Sequence, residues 1–388
     1  MPANSSINDC YNIDDLRELA KRRIPAALFD YIEGYAEDGV TCKNNRKAFD
    51  SYKLIPRILV DVNKVSLKTK LFNNEIASPL VLAPTALSRL FHYKGEHAVA
   101  NAAAKAGLIY TLSTLSSVSI EEIAQANGPR WFQIYCYKDR EITRNMIRRA
   151  KAAGYSAVCL TVDANIGGNR EQDLRNGLTI PPKLNLTTIL NSLKHPTWLW
   201  QIATSAPITA ANVHKEGSGI KQAISLLQYA SEQLDPSLTW KDIAWIRDEW
   251  DGTLIIKGIL SIDDARQAVD FGADGIVLSN HGGRQLDHTP ATIDILPEFV
   301  TVVGDKCDII IDGGIRRGTD IIKAIALGAK ACMIGRPYLY GLAADGQSGA
   351  GKAIDLLQSE IYKSMQLLGC QSIQDLDASY VQRTLGEL

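Results

Sequence analysis

The chain has 388 residues, 46% hydrophobic and 22% charged, the balance of an ordinary globular enzyme. Its 42 basic residues against 43 acidic ones leave a net charge of −1, which offers no field to attract nucleic acid. The seven cysteines are odd in number, scattered and without a C-x-x-C pair, which excludes a disulfide framework and points to a reducing compartment, the cytoplasm.

In chain order, residues 1–78 precede any repeating pattern. The opening MPANSSINDCYNIDDLRELAKRR has no apolar stretch of signal-peptide length, and no run of 18 apolar residues occurs anywhere, so neither a leader nor a membrane span is expected. Helices are expected from Ile13 to Lys21 and near Ala26 to Glu33, and SLKTKLF followed by NNEIAS resembles a hairpin.

From Pro79 on, one unit repeats: an Ala-rich amphipathic stretch, a glycine, then a short apolar run. It is written in NAAAKAG-LIYTLS, RRAKAAG-YSAVCLTVD, DARQAVDFG-ADGIVLSN and IIKAIALG-AKACMIGR. Alanines favour helix, the glycine stops it, and an unbroken apolar run is how a strand buried on both faces reads. With PLVLAPT, WFQIYC, LIIKGI and DIIIDGG there are eight candidate strands. Eight strand–helix units indicate an α/β fold, a (β/α)₈ TIM barrel, with a doubly wound sheet as the alternative. The expected organisation is a single domain over 1–388: an N-terminal extension 1–78, a barrel over about 79–345, an insertion after the fourth strand over about 182–238, and C-terminal helices 346–388. Within the insertion, LNLTTILNSLKHPTWLWQI gathers leucines and two tryptophans, and residues 183–222 carry four lysines against one glutamate.

Barrel chemistry gathers at the C-terminal strand ends. Here they read Pro84-Thr85-Ala86; Ser113; Gln133 and Tyr135; Thr161-Val162-Asp163, with Arg170 beyond; Lys257; Ser279-Asn280-His281; Asp312-Gly313-Gly314-Ile315-Arg316; and Gly335-Arg336. Each admits a plain structural role. Thr85, Ser113 and Thr161 could cap helices, Gln133 and Tyr135 could be satisfied core groups, and His281 alone could be structural. Lys257 inside IIKGI is harder to dismiss, because it would be a buried charge without a partner. DGGIRRGTD followed by GR is a phosphate cradle, in the place where barrels hold phosphate. An Asp beside a His orients it as a base, and an arginine fork grips a carboxylate. Together these suggest a proton taken from an organic acid beside a phosphate-bearing cofactor. No G-x-G-x-x-G follows a strand and no H-E-x-x-H or Cys/His cluster indicates a metal.

The motifs SNHGGRQLD, LTVD with its following arginine, and DGGIRRGTD with GRP resemble those of the FMN-dependent (S)-2-hydroxy acid oxidases and dehydrogenases, from about Ile13 to Gly369. The resemblance implies FMN as cofactor and oxidation of a small 2-hydroxy acid to the 2-oxo acid. His281 would be the base and Asp163 its partner, and Arg284 would clamp the carboxylate with Tyr31 and Arg170. Tyr135 would bond the reacting hydroxyl, and Lys257 would lie by the flavin N1–C2=O edge. Pro84, Thr85, Ala86, Ser113, Gln133, Thr161 and Ser279 would contact the isoalloxazine and ribityl groups. Asp312, Gly313, Gly314, Ile315, Arg316, Gly335 and Arg336 would hold ribityl and phosphate. Leu115 stands where glycolate oxidase has a tryptophan, and Asn165-Ile166-Gly167-Gly168 where it has a Pro-Arg-Leu segment. Small residues there leave room for an acid larger than glycolate, L-lactate being the first expectation.

Electrons would pass to O₂ or to a quinone or cytochrome. The insertion resembles the segment of membrane-associated family members that carries an H-P-x-W stretch, implying peripheral contact of 183–222 with the inner face of a membrane. The alternative is a lid with Trp198 and Trp200 packed on the barrel. The resemblance also implies a homo-oligomer. Two rival readings are an FMN or phosphate barrel of other chemistry (an isomerase or synthase) and a non-catalytic flavin-binding protein.

Overall fold

The computed structural model describes residues 6–177, 190–213 and 232–384. Eight parallel strands close into a barrel: β1 (Leu80–Leu82), β2 (Ile109–Ser113), β3 (Arg130–Ile134), β4 (Ala157–Thr161), β5 (Thr253–Ile259), β6 (Gly275–Leu278), β7 (Asp308–Asp312) and β8 (Ala331–Ile334). They follow one another around the ring, and β8 returns to β1 through the register Cys332↔Leu80. Each expected strand is present. Their runs are largely apolar because one face fills the barrel and the other carries helices, with polar residues such as Ser113, Gln133, Thr161, Lys257 and Asp312 at or near the C-terminal ends. Val81, Ile109, Trp131, Cys159, Ile255, Val277, Ile310 and Met333 form the inner core.

The hairpin Thr69–Leu71 with Asn74–Ile76 closes the N-terminal mouth. Leu71 and Ile76 join the inner core, with Phe72 packed against it. The Phe72 ring lies where a Cβ on Gly275 would sit, 2.5 Å away, which explains a glycine opening β6. Chemistry is thereby confined to the opposite, C-terminal mouth.

The extension contributes three helices, α1 (Ile13–Arg23), α2 (Ala26–Glu33) and α3 (Val40–Lys47), of which α2 brings Tyr31 and Ile32 to the mouth. In α1, Asn12 accepts the Asp15 N–H, Asp14 and Asp15 sit in the first turn, and Lys21, Arg22 and Arg23 end it. These charges oppose the helix dipole and carry it two residues past the expected end. Its buried Ile13, Leu16 and Leu19 pack on the last helix, Arg336–Leu368. That helix begins at the end of β8 and leaves helical geometry at Asp345 and Gly346. Beyond it the chain makes 3₁₀ turns and a strand, Val381–Arg383, antiparallel to Tyr52–Leu54.

Of the insertion, Lys183, Lys215, Glu216 and Lys221 lie outside the described residues. The helix Pro196–Ala203 is present, and its two tryptophans behave differently. Trp198 donates its indole N–H to the Leu90 carbonyl (2.9 Å), whereas Trp200 is 71% exposed. All seven cysteines are free.

Candidate active site

A cavity of about 220 Å³ opens at the C-terminal mouth, and seven of the eight strand ends contribute to its wall together with Gly282 and Arg284 of the β6 loop. Nearly all the residues singled out from sequence line it: Tyr31, the run Ala83–Ala86, Ser113, Gln133, Tyr135, Thr161, Arg170, Lys257, His281, Arg284, 312–316 and 335–336. Asp163 and Ser279 stand behind that wall, for reasons visible in their bonds.

His281 follows β6 in the left-handed region (φ 57°), as do Gly282 and Gly283. A non-glycine residue there is held at a cost of about 1–2 kcal/mol. Two bonds hold it: its N–H donates to Ser279 Oγ (3.0 Å) and its Nδ1 meets Asp163 Oδ1 at 2.9 Å. A Cβ on Gly282 would stand 2.8 Å from Arg336 Nη1, and one on Gly283 2.7 Å from the Cys42 N. The glycines therefore let the turn close against Arg336 and α3. Asp287 ends the motif by accepting the Val40 and Thr41 N–H groups at the start of α3. Burial would raise its pKa, but those bonds bring it down to about 2.

Burial pulls the His281 pKa below its ordinary value, outweighing the Asp163 charge. Burial opposes the Asp163 charge too, but His281 and Lys257 hold that carboxyl low. The pair is thus a neutral imidazole donating Nδ1–H to a carboxylate, with Nε2 left as the acceptor. Lys257 has the partner its sequence context lacked: Nζ lies 3.1 Å from Asp312 Oδ2 and donates to Ser279 Oγ (2.8 Å). Burial works against that ammonium, but Asp312 and Asp163 outweigh it and raise its pKa. The pairing joins β5 to β7, alternate strands, whose inward residues share a layer in such barrels.

Arg284 lies under burial and the neighbouring Arg170 charge, which lower its pKa to about 10. Its Nη1 donates to the Tyr31 and Gly34 carbonyls, its plane covers the Tyr31 ring at 4.9 Å, and its Nη2 is 4.0 Å from Asp173. Asp173 has no counterpart in the sequence reading. Burial puts Tyr135 up to about 12, a protonated donor at any ordinary pH.

Among the described residues, four buried polar atoms of the wall have no hydrogen-bond partner: Gln133 Nε2, Thr161 Oγ1, Asp312 Oδ1 and Arg316 Nε. Buried donors and acceptors left unpaired are costly, and here they surround one cavity. Gly313 and Gly314 take φ of 91° and 82°, and a Cβ on Gly314 would fall 2.0 Å from the Asn45 carbonyl oxygen. The last helix starts at Arg336 with its N-terminus on the cavity. These features fit a flavin mononucleotide: donors and a carboxylate acceptor for the ring and ribityl chain, and a glycine turn plus helix N-terminus for phosphate.

Three expectations change. The Arg336 guanidinium donates to the carbonyls of Ile32, Gly34 and Gly282, so its side chain braces the extension and the β6 loop, while Gly335 and Arg336 both line the cavity. Ser279 serves Lys257 and the His281 N–H behind the wall. Gly168 opens no room in the pocket, because a Cβ there would meet the Arg284 carbonyl oxygen at 2.3 Å. Leu115 does line the cavity. The capping alternative fails for Thr85, bonded to Ser88 and Tyr338, and for Ser113, which donates to Gln133. Sequence reasoning missed Glu96, fully buried, which accepts the Ser88 and Ser117 N–H groups and so ties the loops after β1 and β2.

A family model, FMN-dependent dehydrogenase, matches residues 20–383. The chain belongs to that family. It is 44% identical over 383 residues to an L-lactate oxidase of Nostoc sp. (strain PCC 7120 / SAG 25.82 / UTEX 2576), covering 97% of this chain and 99% of that one. It is 39% identical over 374 residues to an (S)-mandelate dehydrogenase of Pseudomonas putida, covering 96% of this chain and 94% of that one. A crystal structure of the monotopic membrane protein (S)-mandelate dehydrogenase superposes with TM-score 0.93 at 38% identity, over 97% of this chain and all of that one. The resemblance to FMN-dependent 2-hydroxy acid oxidases and dehydrogenases is thus borne out, and the chain is a flavin-dependent oxidoreductase acting on CH–OH donors.

Proposed function

We propose that this enzyme oxidises L-lactate to pyruvate, with His281 as the base. The observation that carries the reading is the Asp163–His281 pair at 2.9 Å, facing a cavity that two guanidinium groups, Arg170 and Arg284, also line. A 2-hydroxy acid presents a carboxylate to those forks and a hydroxyl to the imidazole. FMN, when bound, supplies the acceptor for the two electrons released as CH–OH becomes C=O.

The protein's part follows from its bonds. Arg284 and Arg170 hold the carboxylate, with Tyr31 beside them. Tyr135, kept protonated by burial, donates to the substrate oxygen. His281 Nε2 takes a proton, and Asp163 stabilises the imidazolium that results. Lys257 lends positive charge beside the flavin site. Phe91 and Leu115 supply an apolar wall for the substrate's side chain.

Electrons then go to O₂ or to a quinone or cytochrome; the two named relatives, an oxidase and a dehydrogenase, divide on that step. Exposed Leu190, Leu193 and Trp200 support peripheral membrane contact by the insertion, on the cytoplasmic side. Exposed Ile58, Leu59 and Leu367, on adjoining segments joined by the Arg57 N–H to Leu368 carbonyl bond, support a homo-oligomer.

The test is the anaerobic visible spectrum of the holoenzyme before and after L-lactate, with D-lactate and L-mandelate in parallel. Bleaching by L-lactate and not by its enantiomer is expected. Bleaching by L-mandelate alone would replace the substrate, and no bleaching by any 2-hydroxy acid would overturn the reading. Readmitting air then shows whether O₂ reoxidises the flavin.

A further inference from the structure

The side chain of Gln285 makes four hydrogen bonds, and all of them reach the single segment 163–170. Its Oε1 accepts the Gly168 N–H (3.1 Å) and Arg170 Nη2 (3.0 Å), and its Nε2 donates to the carbonyls of Asp163 (2.9 Å) and Ile166 (2.8 Å). Two donors and two carbonyls leave no choice in which end of the amide is oxygen. Arg170 Nε adds a bond to the Arg284 carbonyl (3.1 Å). Gly168 lets the two loops seat flush, since a Cβ there would stand 2.8 Å from the Gln285 Cα.

We propose that Gln285 is a positioning residue whose amide locks the β4 and β6 loops together, fixing Asp163 and Arg170 relative to His281 and Arg284. It does not line the cavity, whereas Arg170, His281 and Arg284 do, so it acts through them. The inference rests on the reaction proposed above for its catalytic consequence, but not for the lock itself. Base and clamp come from different loops, and a shift of about 1 Å between them is enough to cost a hundredfold in rate.

Two variants separate the halves of the amide. Gln285→Leu removes all four bonds. Gln285→Glu keeps an oxygen for Gly168 and Arg170 and removes both donors to the Asp163 and Ile166 carbonyls. In the substrate-free holoenzyme, amide exchange across 163–170 is expected to quicken about tenfold in Gln285→Leu. For L-lactate, Gln285→Leu is expected to raise KM about tenfold and to lower kcat about tenfold. Gln285→Glu is expected to hold KM within about twofold while kcat falls as in the leucine variant. A merely structural role would change the yield of folded enzyme and leave no such split.

Wild-type exchange in Gln285→Leu overturns the proposal, and so does faster exchange with both constants unchanged. Should the leucine variant fail to fold, Gln285→Glu decides: lowered kcat at retained KM supports the lock, and wild-type kinetics overturns it. A wild-type flavin that no 2-hydroxy acid reduces would overturn the reaction instead, and the exchange measurement, made without substrate, would then judge the lock.

Discussion

The two ends of the cavity are built on opposite plans. At the cofactor end, around Gln133, Thr161, Asp312 and Arg316, buried polar atoms point inward without protein partners. At the substrate end the groups that line the cavity are engaged with protein: His281 with Asp163, Arg284 with backbone carbonyls, Arg170 with Gln285; the orphaned atoms there, Asp163 Oδ2 and Asp173 Oδ1, belong to residues behind the wall. On the reading proposed above, one end would gain its satisfaction from the cofactor it keeps, and the other would hold its geometry while substrates come and go. Preorganised groups of the second kind assist a reaction because they need not move when charge develops. Substitutions at the two ends should therefore fail differently.

The largest effect belongs to the substrate end. His281→Gln should bind FMN as the wild type does, yet slow anaerobic flavin reduction by L-lactate about 10²- to 10⁴-fold, the range of a lost general base; near-normal reduction would remove His281 from the chemistry. Next comes the point where the ends meet. Lys257→Met leaves Asp312 buried and unpaired, and breaking such a pair costs about 3–5 kcal/mol, readable as a lowered denaturation midpoint. Unlike His281→Gln, it should weaken FMN retention as well.

The cofactor end predicts an inversion. Thr161→Val removes a buried hydroxyl that has no protein partner, so the apoprotein should gain about 1 kcal/mol while FMN affinity drops about tenfold. Loss of apoprotein stability would mean that the hydroxyl is satisfied without flavin, and the contrast between the ends would weaken. A smaller effect is set by pH. With the His281 pKa pulled down by burial, the imidazole stays neutral through the ordinary histidine range near 6.5. kcat/KM should hold level there and decline only at lower pH, as the base is protonated. The same depressed pKa favours the folded state above that range and withdraws its contribution as pH falls through it. A decline already under way at neutral pH would show that Asp163 outweighs burial.

The cofactor end was the more legible in sequence, because glycines at fixed spacing after strands seven and eight state a backbone requirement in plain form. The barrel was legible for a related reason: strands buried on both faces read as near-continuous apolar runs. At the substrate end the groups and the Asp163–His281 tie were readable, but the remaining ties were not. Lys257 read as a buried charge without a partner, although Asp312 was in view as a phosphate-end residue; the alternate-strand layering of inward side chains could have joined them. Gln285 and Asp173 passed unnoticed because they work through contacts across more than 100 positions of chain, and Glu96 because it joins Ser88, 8 positions away, to Ser117, 21 positions away, which no local pattern records. The ties of Arg336 were hidden for the converse reason: its position in a phosphate motif gives no sign that its guanidinium also reaches the Ile32 and Gly34 carbonyls.

The insertion offers the same contrast in miniature, within one helix. Trp198 is tied to Leu90 and Trp200, two residues on, is 71% exposed, so neither a fully packed lid nor a fully free face describes Pro196–Ala203. Trp200→Ser should leave turnover of L-lactate in solution unchanged, the smallest catalytic effect of the set. If this face meets a membrane, the indole buries about 80 Å² of apolar surface there, worth about 2 kcal/mol and so roughly thirtyfold in partitioning. Co-sedimentation with anionic phospholipid vesicles should fall by that order for Trp200→Ser. Equal sedimentation of variant and wild type would argue that Trp200 meets no lipid. Trp198→Ser is the informative control, since it cuts the bond to the loop after β1 and should lower activity whether or not a membrane is present.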